Sequence, residues 1–407
     1  MTFSELGLAP KLVARLAEQG LVAPTPIQER AIPLALAGRD VLGLAQTGTG
    51  KTAAFGLPIV QALAQDQRRP APRTASALVL APTRELASQI VDSLTAFSGG
   101  RGGIRIALVV GGRAIGPQIQ RLSRGTDVLV ATPGRLVDLI ERDAVDLGDT
   151  GFLVLDEADQ MLDLGFIHAL RRIAPLLPAE RQTMMFSATM PKTMAELSRA
   201  YLRNPARVEV SPPGQAADKV SQSVHFVAKE DKHPLLVELL DAHRDERALV
   251  FARTKHGAER LMEKLARAGF AAASIHGNKS QGQRDRALAG FREGTVRVLV
   301  ATDVAARGID IPGVGHVYNF DLPNVPENYV HRIGRTARNG ADGRAVAFCD
   351  ADEAKDLRAI EKVLGEPIPV AGGTPWRGAE APAADKGPKR RARGRRPGRP
   401  FARRKAA

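Results

Sequence analysis

The stretch Ala45-Gln46-Thr47-Gly48-Thr49-Gly50-Lys51-Thr52 constrains this chain more than any other. It follows an apolar run, Val41-Leu42-Gly43-Leu44, and precedes an apolar, helix-compatible run from Ala53 to Ala64. A strand, a glycine-rich turn and a helix start in that order make a phosphate cradle. Backbone N–H groups of Gln46, Thr47, Gly48, Thr49 and Gly50 can converge on phosphate oxygens, and the helix N-terminus adds partial positive charge. Lys51 is then placed to reach the outer phosphates, and the Thr52 hydroxyl to ligate Mg²⁺. The first position departs from the strict G-x-x-x-x-G-K-[ST] pattern, being Ala45. A glycine-rich surface turn is the plainer alternative, and the flanking strand and helix argue against it.

Short apolar runs alternate with helix-length segments along the whole chain. Val41–Leu44, Ala77–Leu80, Arg105–Val110, Asp127–Val130, Phe152–Leu155 and Thr183–Phe186 are too continuously apolar for strands with one wet face. They suit a parallel sheet covered by helices on both sides. Turn and linker residues from Ser211 to Asp218 break the rhythm. A second series follows at Val224–Val227, Ala248–Phe251, Ala272–Ile275, Val296–Val300, Val317–Phe320 and Ala345–Phe348. The spacing predicts two α/β units, residues 1–210 and 219–370, joined by a short linker, 211–218. Only the first carries a phosphate cradle.

Charge divides the chain again. Of a net +14, the segment Ala371–Ala407 holds twelve Lys/Arg against Glu380 and Asp385, a net of +10. A basic, Pro/Gly/Ala-rich stretch cannot bury enough apolar surface to order itself, so residues 371–407 are expected to be a disordered tail. Polyanions such as RNA are its natural partners through counterion release; a merely solubilising tail is the alternative. The single Cys349 rules out an intramolecular disulfide and fits a reducing compartment. With neither a leader-like start nor an 18-residue apolar run, the expectation is a soluble, cytoplasmic protein with no membrane segment.

Asp156-Glu157-Ala158-Asp159 directly follows the apolar run Phe152–Leu155. Ligands of parallel sheets sit at the carboxyl ends of strands, so these acids are expected to face the phosphate turn. Asp156 would hold Mg²⁺ and Glu157 would polarise the attacking water; alone, two such acids would read as a capped helix start. Upstream lie Phe3 and Pro24-Thr25-Pro26-Ile27-Gln28. An amide suits the N6/N7 edge of adenine, and Phe3 is placed either to stack on the base or to plug a core. Pro82-Thr83-Arg84-Glu85-Leu86-Ala87, Gly111-Gly112, Thr132-Pro133-Gly134-Arg135 and Ser187-Ala188-Thr189 each follow an expected strand. Hydroxyl, Gly and Arg residues there are good ligands for sugar–phosphate oxygens.

In the second unit, His331-Arg332-Ile333-Gly334-Arg335-Thr336-Ala337-Arg338 sets Arg335 and Arg338 three apart, on one face if helical. Such arginines complete a phosphate site on the other unit or simply form a solvated basic helix. Ala301–Asp310, Phe251–Thr254 and His276-Gly277-Asn278-Lys279-Ser280-Gln281 also end strands. The eight histidines show no Cys/His metal spacing, which leaves zinc unsupported.

Together these strings resemble the DEAD-box RNA helicases of superfamily 2, over residues 1–350 and in the family's order. The string at His276–Gln281 and the short basic tail are similar to the bacterial RhlE group. The resemblance implies two RecA-like domains. Phe3, Thr25 and Gln28 match the adenine-sensing motif. Gln46, Thr47, Gly48, Thr49, Gly50, Lys51 and Thr52 match the triphosphate and Mg²⁺ site, with Asp156 and Glu157 as metal partner and water activator. Gly308 and Asp310 would contact nucleotide from the second domain, and Arg335 and Arg338 match the arginine fingers. Asp159, Ser187, Thr189 and His331 match the residues coupling hydrolysis to unwinding. RNA contacts are implied for Thr83, Arg84, Gly112, Thr132, Arg135, Arg253, Gly277, Arg284, Thr302 and Asp303.

The implied activity is RNA-stimulated ATP hydrolysis, with ATP and Mg²⁺, coupled to local unwinding of short RNA duplexes by a monomer. RNA binding would be sequence-independent, with ribosomal precursors or RNA-decay proteins among possible partners. An ATP-gated RNA clamp or annealing protein, and a DNA-directed superfamily 2 motor, are the alternatives.

Overall fold

The computed structural model describes residues 1–45, 48–66, 68–99, 103–210, 220–306, 313–337 and 342–376. Gln46, Thr47, Gly308, Asp310, Arg338, the linker 211–218 and the tail from residue 377 lie outside the described residues. The described chain forms two lobes, each built on a seven-stranded, wholly parallel sheet.

The first sheet uses β1 (Val41–Leu44), β2 (Ala75–Leu80), β3 (Ile106–Val109), β4 (Thr126–Ala131), β5 (Phe152–Leu155), β6 (Gln182–Ser187) and β7 (Ala206–Glu209), ordered β3-β4-β2-β5-β6-β1-β7. The second uses β8 (Val220–Phe226), β9 (Arg247–Phe251), β10 (Ala272–Ile275), β11 (Val298–Ala301), β12 (Val314–Asn319), β13 (Gly343–Cys349) and β14 (Val370–Gly372). Its order, β10-β11-β9-β12-β13-β8-β14, repeats the first strand for strand. These are the two expected RecA-like domains.

The continuous apolar runs are explained by burial on both faces. In the first lobe one cluster holds Ile27, Phe55, Val79, Ile90 and Phe186. The opposite face packs Leu78, Leu129, Leu153, Met185 and Leu170. Alternate residues of each strand thus enter different cores, which requires apolar side chains at every position.

Two strands escaped the sequence reading, and both are sheet edges. β7 and β14 have one strand neighbour each, and their side chains are only partly buried, so neither carries a continuous apolar run. β14 pairs with β8, and Trp376 Nε1 donates to the Cys349 carbonyl at 2.8 Å. The second lobe therefore continues past residue 370 to at least Trp376. A further correction concerns Arg335. The helix Glu327–Ile333 stops before it, and Ala337 has φ of 55°, so helical spacing does not set its direction.

Candidate nucleotide and nucleic-acid sites

The phosphate turn sits between β1 and the helix Lys51–Gln65, at the carboxyl end of its strand. Gly50 caps that helix at φ 90°, and a Cβ there would lie 2.3 Å from Gln28 Nε2. Only glycine allows this close approach. Gln28 is buried, its Nε2 donating to the Gly50 carbonyl at 3.0 Å and its Oε1 accepting from Thr25 N–H at 3.0 Å. Thr25 Oγ1 donates to the Thr49 carbonyl at 2.7 Å. The Thr25–Gln28 pair therefore braces the turn directly. Phe3, in contrast, is 3% exposed in the cluster with Leu6, Leu8 and Ile27. It plugs the core and leaves almost no ring face for a base.

Lys51 is buried, its Nζ donating to the Ala45 carbonyl at 3.2 Å. Asp156 and Glu157 end β5 beside it, each about 2% exposed. Burial raises the pKa of Asp156, and the Lys51 charge opposes that shift. Burial pushes Glu157 up to about 7, opposed by Lys51 and by Arg335 of the second lobe. Glu157 stands at φ 50°, a left-handed conformation unusual for a bulky residue, and both its carboxylate oxygens are buried without a hydrogen-bond partner. A strained, unpartnered carboxyl beside a phosphate turn signals a site rather than a core. The Thr52 hydroxyl and the Asp156 carboxylate form an oxygen donor set of the kind Mg²⁺ takes, so the residues present fit that ion.

Asp159 turns the other way. Its Oδ2 accepts from Ala188 N at 3.0 Å, Thr189 N at 2.9 Å and Thr189 Oγ1 at 3.0 Å, while Ser187 Oγ donates to the Thr189 carbonyl at 2.7 Å. The acidic segment and the Ser-Ala-Thr segment are thereby tied to each other. On the other lobe Arg335 Nε donates to the His331 carbonyl at 3.3 Å.

A second depression, a cavity of about 420 Å³, opens between the lobes and gathers Thr83, Arg84, Thr132, Arg135 and Arg284. Gly112, at φ 73°, lies beneath the Arg84 guanidinium, where a Cβ would sit 1.9 Å from its nitrogen. The lobes touch at this cavity. Arg84 donates to Gln281 Oε1 at 3.0 Å, Gln281 Nε2 donates to Glu85 Oε1 at 3.1 Å, and Arg284 pairs with Glu85 at 3.1 Å. Sequence reasoning missed Glu85 and Gln281 as interlobe contacts, because nothing in either string says which partner the fold will bring to it.

Two expected RNA ligands, Asp303 and Arg253, are engaged elsewhere. Asp303 forms a bidentate ion pair with buried Arg332 at 2.5 and 2.8 Å. Arg332, also bonded to Asn319 Oδ1 at 3.0 Å, is a positioning residue the sequence reading passed over. Its only sequence signal was its place between His331 and Arg335. The Arg253 guanidinium pairs with Glu353 at 2.7 Å and donates to the Leu322 carbonyl at 3.0 Å. Gly277 follows His276, whose Nε2 lies 2.8 Å from Glu259 Oε2 and whose Nδ1 accepts from Asn278 N–H at 3.3 Å. Glu259 also holds Ser274 and Lys279, and these hydrogen bonds overcome its burial to keep its pKa down at about 2. Thr302, half-buried, opens the short helix Asp303–Ala306 at the end of β11.

Two RecA-like sheets, with a phosphate turn and paired acids on one lobe and Arg335 on the other, are the parts of a nucleotide-driven two-lobed motor. Comparison with known proteins narrows the class. Residues 25–197 match the DEAD/DEAH box helicase family and residues 231–340 the helicase conserved C-terminal domain. An ATP-dependent RNA helicase CshA of Listeria monocytogenes is 44% identical over 360 residues, 88% of this chain and 68% of the relative. S. cerevisiae Dbp5 bound to RNA and ADP BeF3 is 34% identical, with a TM-score of 0.80 over 91% of this chain and 95% of Dbp5. Mss116p bound to ssRNA and AMP-PNP gives 26% identity and a TM-score of 0.82 over 92% and 80%. The chain belongs to the DEAD-box ATP-dependent RNA helicases. These likenesses establish the family and not the RhlE-like subgroup. Among the described residues no helix is long and apolar enough to cross a membrane.

Proposed function

We propose that this ATP-hydrolysing helicase divides its catalytic site between the lobes, so that turnover requires the crevice shut by RNA. The observation that supports this reading is Glu157, buried at φ 50° with neither carboxylate oxygen hydrogen-bonded, in the field of Lys51 and, from the second lobe, of Arg335. Lys51 and the turn from Gln46 to Gly50 would hold the triphosphate, with Gln28 and Thr25 sensing adenine and Gly308 and Asp310 contributing from the second lobe. Thr52 and Asp156 would hold Mg²⁺, which when bound neutralises phosphate charge. Glu157 would take the proton of the attacking water, and Arg335 with Arg338 would stabilise the charge that develops.

RNA would enter the cavity lined by Thr83, Arg84, Thr132, Arg135 and Arg284, near Gly112, Gly277 and Thr302. Contacts to phosphate and sugar make such binding sequence-independent, and 2′-hydroxyl contacts favour RNA over DNA. The Asp159–Thr189 bonds would carry closure from the nucleotide to the strand, a linkage that works in both directions. The domain limits proposed are 1–210 and 219 to at least 376, with a basic tail as an added RNA arm. A cytoplasmic monomer acting on ribosomal precursors or with RNA-decay proteins agrees with this chemistry. ATP turnover measured with short RNA duplexes, matched DNA and no nucleic acid tests the reading. RNA is expected to accelerate hydrolysis at least tenfold over DNA; equal rates in all three would refute the split site.

A further inference from the structure

The fold brings together two histidines that the sequence keeps far apart. His243 lies in the turn after the helix Lys232–Asp241, Glu246 just before β9, and His316 within β12. One ligand atom from each lies within 4.8 Å of the other two. His316 is 2% exposed, and its Nε2 sits 2.9 Å from Glu246 Oε2. His243 Nδ1 lies 3.6 Å from Glu246 Oε1, and the two imidazoles stack at 4.3 Å. Gly315 makes room for the carboxylate, since a Cβ there would lie 2.5 Å from Glu246 Oε2. This cluster occupies the amino-terminal ends of β9 and β12, the opposite end of the sheet from the interlobe crevice.

We propose that His243, Glu246 and His316 form a binding site for a divalent transition metal of the zinc class. Two imidazole nitrogens and one carboxylate suit Zn²⁺, Co²⁺ or Ni²⁺, whereas Mg²⁺ prefers an all-oxygen set. Zinc bonds of roughly 2.0–2.2 Å place tetrahedral ligand atoms about 3.4 Å apart, so the cluster must contract. Glu246 and His243 are free to do this, their side chains being 53% and 28% exposed on a turn, while His316 is held by its strand. The metal takes the place of the proton shared by His316 Nε2 and Glu246, and water fills the fourth position.

Arg344 opposes binding. Its guanidinium lies 3.2 Å from His243 Nε2, so that nitrogen keeps its lone pair and the proton sits on Nδ1. Coordination through Nδ1 moves the proton to Nε2 and releases Arg344, whose exposed side chain can swing into water. Filled, the site staples the turn after the helix Lys232–Asp241 to β12 and stabilises the second lobe without touching the crevice.

Calorimetric titration of the untagged, chelator-treated full chain with Zn²⁺ alone tests this. One site is expected, at least tenfold weaker in His243→Gln and in Glu246→Gln and tighter in Arg344→Ala. Co²⁺ in the same site should show the visible absorption of a tetrahedral centre, lost in His243→Gln. His316→Gln risks misfolding, so the variants at half-buried His243 and exposed Glu246 decide. Absence of Zn²⁺ binding, or equal binding by the unaltered chain and His243→Gln, overturns the site.

Discussion

The two lobes share one strand order, yet the same position serves opposite ends in each. Lys51 opens the helix after β1, and Lys232 opens the helix after β8; both ammonium groups are buried. Lys51 Nζ rests on the Ala45 carbonyl, within the field of Asp156 and Glu157. Lys232 Nζ instead meets Glu353 at 2.5 Å, Asp350 at 3.0 Å and Asp321 at 3.9 Å. In the second lobe, carboxylates from the ends of β12 and β13 thus sit where the first leaves room for phosphates. The duplicated fold teaches that a RecA-like sheet places a lysine at this point by geometry. Whether the lysine binds nucleotide depends on what neutralises it.

That contrast is broken most directly by removing each lysine. Lys232→Ala leaves Asp350 without its cation and Glu353 with Arg253 alone, and for a disrupted buried ion pair this is worth about 3–5 kcal/mol of stability. Lys51→Ala is expected to stay folded and to lose ATP turnover at least a hundredfold. Urea melts alongside ATPase rates separate the two. If Lys232→Ala melted with the unaltered protein, or Lys51→Ala kept its turnover, the two positions would not differ as described.

Glu157 sharpens the comparison through pH. The base must be ionised to take a proton, and its pKa stands at about 7 chiefly because it is buried. RNA-stimulated turnover should therefore rise as pH climbs through 7 and level off above it. Stability runs the opposite way. The folded pKa exceeds the unfolded one, so as pH passes from 4.5 toward 7 the unfolded chain ionises this group while the fold keeps it protonated, and stability falls across that window before levelling off above 7. Glu157→Gln should thus stabilise the chain most above pH 7, by roughly 1–3 kcal/mol, while turnover falls about 10²–10⁴-fold. A flat turnover profile from pH 6 to 8, or no gain in melting temperature at pH 8, would remove Glu157 from this role. In the second lobe burial also raises the pKa of Glu353, with Lys232 opposing the shift, but Glu353 takes no part in hydrolysis, so no turnover profile is expected from it.

The fold was legible in the sequence wherever a strand is covered on both faces. β1 and β5 appear with the expected limits because each is a short run without a polar side chain and is buried along nearly its whole length. β7 and β14 were hidden because their side chains are too exposed to require an apolar run, Val208 being the one buried residue of the two strands. The first lobe's site was legible for a different reason: its turn, acids and Ser-Ala-Thr segment are each contiguous strings. Contacts assembled across long separations left no such trace. Asp303 and Arg253 carry the residue types expected of ligands, but Arg332 and Glu353 claim them. His316 and Glu246 are separated by the whole of β9 to β11, which no spacing rule can bridge.

The smallest expected effect lies where the two lobes meet. Glu85 and Arg284 are 4% and 15% exposed and pair at 3.1 Å across the crevice, with Gln281 joining Glu85 to Arg84. Partial burial and a shared network make their coupling larger than that of a surface pair, about 0.5–3 kcal/mol in a double-mutant cycle. Because the contact exists only when the lobes are together, it should stabilise the closed state and leave ATP binding to the isolated first lobe's residues unchanged. Arg284→Ala and Glu85→Ala are each expected to weaken RNA binding in the presence of a non-hydrolysable ATP analogue by about threefold to tenfold. The double variant should be no worse than the poorer single one. Strictly additive losses would mean that each residue meets RNA by itself, and that the closure of the two sheets is held by the nucleotide alone.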